Sequence, residues 1–416
     1  MSHSNRILCE VLCIAAALLI TSQCSKSPTN DDAESDRTPP EVITDLVVIS
    51  NISHAATLQW TAPHDYREDH SNGMVDEYDL RASYDSITAQ NFAQAHHIDS
   101  VPVPAPAGAM QQCEVDSLEP DSTYYFAVKS RDDKGNRSGI SNCCRVHCPA
   151  IQIVVFADAV LEQVIREYIH KPTGDILSSD VDTIPIVSAP FAGIESLSGL
   201  EHCTSLQSVI LPGNELSDIT PLAGATRLWG LELTGNNITD LSPLTGLSNL
   251  HQLHIGENPI TDISPLASVP SLQQLFMYGT QVTDFSPLYG LEHLDDIHLA
   301  VLNLTDIGFI SSLTHLRICK LNSNLITSIA PLSNLIGLEG LDLMMNQVSD
   351  LAPLTGLVNL RAINLVYNLI TDIQPLVDNT GLGAGDAVYL GGNALSQQAL
   401  EVQIPTLQAR GVAVSW

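Results

Sequence analysis

Leu228-x-x-Leu231-x-Leu233-x-x-Asn236-x-Ile238-x-Asp240-Leu241-x-Pro243-Leu244 is followed, 22 residues on, by Leu250-x-x-Leu253-x-Ile255-x-x-Asn258-x-Ile260-x-Asp262-Ile263-x-Pro265-Leu266. A fixed period of this length marks a solenoid and outranks local secondary-structure signals. One such unit cannot bury its own apolar face, whereas a stack can, because each unit covers the next. Stacks of this kind build a long concave surface suited to holding a partner rather than a closed pocket for chemistry.

Counted from Ile184, the register runs without a gap to about Gly381. Asn214, Asn236, Asn258, Asn324, Asn346 and Asn368 recur at the turn, where a side-chain amide can satisfy neighbouring backbone groups. Asp218, Asp240, Asp262, Asp284, Asp306, Asp350 and Asp372 precede the Pro-Leu corner or its equivalent and are expected to bond its backbone. One carboxylate per turn is too few oxygens for calcium. The pattern breaks near the middle: Thr280 and Leu302 replace two successive Asn, Phe309 a corner Pro, and Ser328 an Asp. After Leu382 about three extra residues precede Val388, and Asn393 resumes the pattern. These breaks read either as drift in a tolerant array or as a local kink beside a ligand site.

From Phe156 to Trp416 the chain resembles the leucine-rich repeats of internalin-like bacterial surface proteins. The resemblance implies a helical N-terminal cap over 150–183, repeats over 184–395 and a C-terminal cap over 396–416 that contains Ile404–Val412. Phe156 to His170 fits the first cap, with Leu161, Val164, Ile165 and Tyr168 on one helical stripe. The resemblance further implies a protein partner, with no cofactor.

In Leu-x-x-Leu-x-Leu the residue between the last two leucines faces the concave surface, because strand side chains alternate. The row reads Ile210, Glu232, His254, Phe276, His298, Lys320, Asp342 and Asn364; two residues further on lie Thr234, Tyr278, Asn322, Met344 and Val366. At a strand spacing of about 4.8 Å, His254, Phe276 and His298 form one strip, which Tyr278 widens. Exposed aromatics flanked by polar groups suit a protein hot spot or a sugar ring. We take Glu232, His254, Phe276, Tyr278, His298, Lys320, Asp342 and Asn364 as the candidate partner-binding residues. His254 and His298 stand roughly 10 Å apart, too far to share a metal ion.

Ahead of the repeats, residues 40–148 have the spacing of an all-β sandwich. Ala56-Thr57-Leu58-Gln59-Trp60 alternates apolar and polar, as Val75–Leu80 nearly does. A turn at Pro120-Asp121 leads into a strand through Ser130, and Asp133-Lys134-Gly135-Asn136 forms the next turn. With Pro39-Pro40, Trp60, Leu118, Pro120 and Tyr124, this stretch resembles a fibronectin type III module; Tyr124 would bury its ring and bond upstream backbone through its hydroxyl.

The first 24 residues carry a short apolar run, Ile7–Ile20, behind Arg6, and end at Cys24. This has signal-peptide length and resembles a bacterial lipoprotein signal, with Cys24 as the lipid attachment point, despite Gln23 and Glu10. The plainer reading is secretion with cleavage near Cys24. Residues 25–39 read as a flexible acidic tether. Seventeen Lys and Arg against 47 Asp and Glu give a net charge of −30, which argues against nucleic acid as a partner. In an exported chain, Cys143-Cys144-x-x-His147-Cys148 reads as a disulfide region with Cys113 as a possible partner, rather than a metal site. Cys203 and Cys319 fall on framework sites and read as core. No phosphate-binding Gly loop, Gly-x-Ser-x-Gly or His-Glu-x-x-His is present.

The expected molecule is therefore non-catalytic: a sandwich followed by a repeat solenoid, exported to a bacterial surface or outer membrane, otherwise secreted. The main reading is a cell-surface binding or adhesion protein with a protein partner on the concave face. A carbohydrate-binding accessory protein of a polysaccharide-processing system and a structural envelope protein are the rivals.

Overall fold

The computed structural model describes residues 37–66 and 72–416. The apolar run, Cys24 and most of the tether lie outside them. Among the described residues no helix is long and apolar enough to cross a membrane.

The N-terminal body is a sandwich. Val47–Asn51, Ala56–Thr61 and Met110–Val115 form one antiparallel sheet; His96–His97, Glu77–Ser83, Thr123–Arg131 and Cys144–His147 form the other, in that order. The alternation in Ala56–Thr61 is realised: Ala56, Leu58 and Trp60 are buried and their neighbours half-buried. Trp60 meets Tyr78 edge-on, with ring centroids 5.2 Å apart at 85°. Tyr124 is buried, and its hydroxyl accepts the Glu119 N–H at 2.9 Å, as expected for the corner. The expected disulfides are absent, because Cys113, Cys143, Cys144 and Cys148 are free thiols. Neighbouring strand residues face opposite ways, so Cys144 packs on the main sandwich core and Cys143 on a small satellite cluster. Cys113 donates instead to the Ser100 carbonyl at 3.3 Å. Burial pushes the Cys113 thiol up to about 11 and the Cys144 thiol up to about 12, so neither is a ready thiolate.

The C-terminal body is one parallel sheet of eleven short strands, Ile186–Ser188 through Ala413–Ser415, each paired with its sequence neighbour. A short 3₁₀ turn lies opposite most of the strands. One continuous apolar core runs from Val154 to Val412 and includes Cys203 and Cys319, as their framework positions require. The register advances by 22 residues per strand until Asn364 pairs with Tyr389. The three extra residues there are absorbed by a loop in which buried Asp386 accepts the Gly383 N–H at 2.8 Å.

The cap helix spans Ala159–Tyr168. Asp158 caps it by accepting from Val160 and Leu161, and its other oxygen accepts the Glu195 N–H, tying cap to stack. Leu161 and Ile165 are buried and Val164 partly so, but Tyr168 is half exposed, contrary to the stripe reading, and the next residue, Ile169, packs on the core in its place. At the far end a helix, Ile404–Ala409, covers the core and then adds Ala413–Ser415 as an eleventh strand, which the repeat pattern did not announce.

The two bodies are clasped together. Asp182, buried beside the cap, accepts from the Ser53 hydroxyl at 2.9 Å and its N–H at 3.4 Å, while Arg227 donates to the Ser50 hydroxyl.

Candidate functional site

Each concave strand buries its middle residue, as at Leu231, Leu253, Leu275, Ile297 and Cys319, and so turns the residues on either side outward. Backbone pairing then sets Glu232, His254, Phe276, His298, Lys320, Asp342 and Asn364 directly side by side.

Within this row four residues make a continuous assembly. His254 Nδ1 lies 2.6 Å from Glu232 Oε2. The His254 ring stacks on Phe276, with centroids 4.0 Å apart and planes within 4°, and Phe276 stacks on His298 at 3.6 Å and 3°. Beyond the stack, His298 Nε2 lies 3.2 Å from Asp296 Oδ1, an ion-pair distance without an aligned hydrogen bond. Each outer ring of the stack thus has a carboxylate against it, Glu232 from the preceding strand for His254 and Asp296 from the same strand for His298. Burial raises the Glu232 carboxyl, but bonds from His254, the Thr234 side chain and the Thr234 N–H outweigh it and leave the pKa below its usual value. Asp295, beside Asp296, is raised by burial and by that neighbouring charge.

Tyr278 widens the strip as the sequence suggested. A Cβ placed on Gly256 would sit 2.8, 2.9 and 2.9 Å from three successive atoms of the Tyr278 ring. The ring therefore lies with its face over the preceding strand, and that approach requires glycine at 256. Burial and the Glu257 carboxylate raise the Tyr278 hydroxyl.

The rest of the row is looser. Lys320 is exposed, and among the described residues no ion pair joins it to Asp342. Asp342 and Asn364 turn back to accept the N–H of Met344 at 2.9 Å and of Val366 at 3.3 Å. Sequence reasoning missed Asp296, which flanks the His298 ring from the same strand, and Gly256. The signal for Gly256 was its place between Thr234 and Tyr278, beside the largest side chain of the column.

The irregular repeats prove informative. Each turn Asn bonds its own turn and the preceding one. Asn258, for example, donates to the Ile255 and Leu233 carbonyls and accepts the Ile238 N–H. Asn393 does the same, which restores the ladder beyond the inserted loop. Thr280 donates only within its own turn, to Met277, and Leu302 is a buried apolar residue. Two successive joints therefore lack an amide bracket. They are the joints spanned by the His254–Phe276 and Phe276–His298 stacks. On the corner side, Phe285 and Phe309 stack at 5.0 Å across the second joint. Ring contacts thus stand where amides are missing.

The corner aspartates act on backbone as expected: Asp218, Asp240, Asp262, Asp284, Asp306, Asp350 and Asp372 each accept the N–H two residues on, at 2.7–2.9 Å. Ser328 replaces one of them with a longer bond of 3.4 Å.

With this geometry in view, the chain can be set beside known proteins. Residues 38–143 match the family model for the fibronectin type III domain, and residues 226–268 the model for leucine rich repeats in two copies. Among solved structures the chain is similar to an internalin from Listeria monocytogenes, at 25% identity over 63% of this chain and 92% of that one, with a TM-score of 0.48. It is similar to internalin C2 of the same organism, at 31% identity over 50% of this chain and 94% of that one, with a TM-score of 0.49. A leucine-rich repeat protein of Leptospira interrogans shares 23% identity over 53% of this chain and 57% of that one, with a TM-score of 0.49.

Proposed function

We propose that this chain, a fibronectin type III domain followed by a leucine-rich repeat solenoid, is a non-catalytic, exported binding protein that holds a protein partner on its concave face. Cys24 would be its lipid attachment point at a bacterial surface. The observation that carries the reading is the His254–Phe276–His298 stack with Tyr278 beside it. Rings held by their neighbours lose little freedom on binding, which is the economy that makes aromatic anchors hot spots. Glu232 and Asp296 against the outer rings, with Lys320 and Asp342 beyond, give the rim its charge. The clasp at Asp182 lets the sandwich serve as a spacer of set orientation.

The stack also bears on the carbohydrate reading. A sugar lies flat on an aromatic face, and both faces of Phe276 are covered by histidine rings. Only Tyr278 keeps a platform geometry. A protein partner, which can use ring edges and polar atoms together, fits the strip better.

The test is a pull-down from candidate host and bacterial surface extracts with the native chain and a Phe276→Ala/Tyr278→Ala/His298→Ala variant, run beside a glycan array. Protein partners lost only by the variant support the proposal. Glycan binding that depends on Tyr278 would establish the accessory reading instead. A partner list untouched by the variant would remove the concave face from consideration.

A further inference from the structure

The four repeats that present the ring stack, residues 228–316, contain nine Asp and Glu and no Lys or Arg. Asp240, Asp262, Asp284 and Asp306 are occupied with corner backbone. Asp295 and Asp296 have the Arg317 charge of the following strand within reach. Further down, the same face supplies its own cations: Arg317 donates to both oxygens of Glu339 at 3.0 and 2.9 Å, and Arg361 reaches Asp386 at 3.4 Å. Glu232 and Glu257 are left without Lys or Arg. Glu232 has only His254 and Thr234. Glu257 is exposed and, among the described residues, joins no ion pair.

Tyr278 lies with these two carboxylates. Its ring rests on the space above Gly256, and its hydroxyl end meets the Thr234 side chain, which also bonds Glu232. The Glu257 N–H donates to the Tyr278 carbonyl at 2.7 Å, which fixes the Glu257 turn against this strand. After burial, the charges of Glu257 and then Glu232 raise the Tyr278 hydroxyl, so both carboxylates act on the same ring. The next side chain in the column is only Ala300. Among the described residues no other ring stacks on Tyr278, and no Lys or Arg stands over it. The backbone of Glu257 adds a further sign. It sits at φ 54°, in the left-handed region, where the equivalent turns on either side hold Gly235 at 69° and Gly279 at 68°. Glycine is the residue this backbone favours, so a glutamate here is held against a local cost with no partner in the fold to offset it.

We propose that Tyr278, Glu232 and Glu257 form a subsite for an arginine side chain of the partner, its guanidinium lying on the ring between the two carboxylates. The inference rests on the concave-face reading above and names the chemistry of the anchor. A guanidinium is planar, stacks on an aromatic face and carries five N–H donors, so it uses the ring and both carboxylates together. A lysine ammonium supplies the charge without the plane. The bonds from His254 and Thr234 keep the Glu232 carboxyl ionised despite its burial, so the charge is in place before the partner arrives. Arginine is also among the residues that dominate binding at protein interfaces, and a chain at −30 steers a basic patch toward itself.

The probe is the peptide acetyl-Gly-Arg-Gly-amide, set beside its citrulline counterpart, which has nearly the same shape and no charge. The side-chain signals of each peptide are followed by NMR as the full chain is added, at low and high salt. The expected result is broadening of the arginine peptide that the citrulline peptide does not show and that weakens as salt rises. Affinity should fall about fivefold or more in Tyr278→Leu and in Glu257→Gly. Glycine suits the left-handed turn, so Glu257→Gly should keep a thermal midpoint at or above that of the native chain. Glu292→Gln, which removes the same charge outside the strip, should leave the broadening unchanged. Equal broadening of both peptides, no broadening at all, or broadening that survives Tyr278→Leu and Glu257→Gly would overturn the proposal. The concave-face reading fails separately. Glu257→Gly keeps Phe276 and His298, so partner capture that ignores Glu257→Gly but is lost in Phe276→Ala retains the concave face and strikes the arginine subsite, whereas capture untouched by either removes the face itself.

Discussion

The sandwich and the solenoid bury apolar side chains with similar thoroughness but connect them in opposite ways. In the sandwich, Glu77 pairs with Arg131 and Ala56 with Val115, so the central pairing of each sheet brings together residues more than fifty apart. In the solenoid, neighbouring strands from Ile186 to Asn364 pair at a spacing of 22 residues, and each repeat touches only its neighbours. Non-local pairing makes a body fold slowly and fail as a whole, whereas nearest-neighbour stacking lets damage stay where it occurs.

The sharpest way to break this contrast is Trp60→Ala. Trp60 is fully buried between the sheets, and its loss should cost the sandwich about 3–5 kcal/mol. Calorimetry should show the sandwich transition shift to lower temperature while the repeat transition holds its midpoint. A matching shift in both would mean that the clasp makes one cooperative unit of the two bodies. Next in size is Asn258→Ala, which strands the Ile238 N–H and the Ile255 carbonyl, leaves the Leu233 carbonyl with its bond from Asn236, and should cost about 2–4 kcal/mol. Hydrogen exchange should rise in the repeats on either side and stay unchanged in the sandwich; global loss of protection would refute the nearest-neighbour picture. Smaller and opposite in sign, Thr280→Asn should restore a bracket and stabilise the stack by about 1 kcal/mol, read as a rise in urea midpoint.

Acid gives the gentlest comparison. At Asp218 the Thr220 hydroxyl and N–H, and at Asp240 and Asp284 the N–H and hydroxyl of Ser242 and Ser286, hold the carboxyl below its usual value. A folded pKa below the unfolded one adds stability that is complete above the unfolded value and disappears as pH falls through the folded value. The solenoid midpoint should therefore drop below about pH 4, and an Asp218→Asn/Asp240→Asn/Asp284→Asn variant should show a flatter profile there. An identical acid profile in the variant would remove these corners from the account.

Much of this was legible beforehand, for reasons that separate the two kinds of fact. The 22-residue period assigned inward and outward positions, so the concave row, the Asn ladder and the corner aspartates followed from counting. Counting could not show that the Phe276 ring lies parallel to both histidines, because ring planes depend on side-chain rotamers. Nor could it pair Ser53 with Asp182, which meet across 129 residues with no pattern linking them. The cysteines misled because spacing in sequence suggested proximity, while strand alternation sent Cys143 and Cys144 to different sides. The free thiols also leave the described sandwich without a covalent crosslink, so packing around Trp60 and the hydrogen bonds of its strands and of Tyr124 hold it together.

The two missing amide brackets carry a mechanical consequence. Under tension along the stack, most joints resist through strand hydrogen bonds and an Asn that reaches across. The joints on either side of Thr280 resist through strand bonds and ring contacts, and ring contacts are short-ranged and undirected. Load would concentrate there. The solenoid would part at the repeat that presents Phe276, and the partner-facing strip would be the first section of the molecule to yield and the fuse that spares the repeats on both sides.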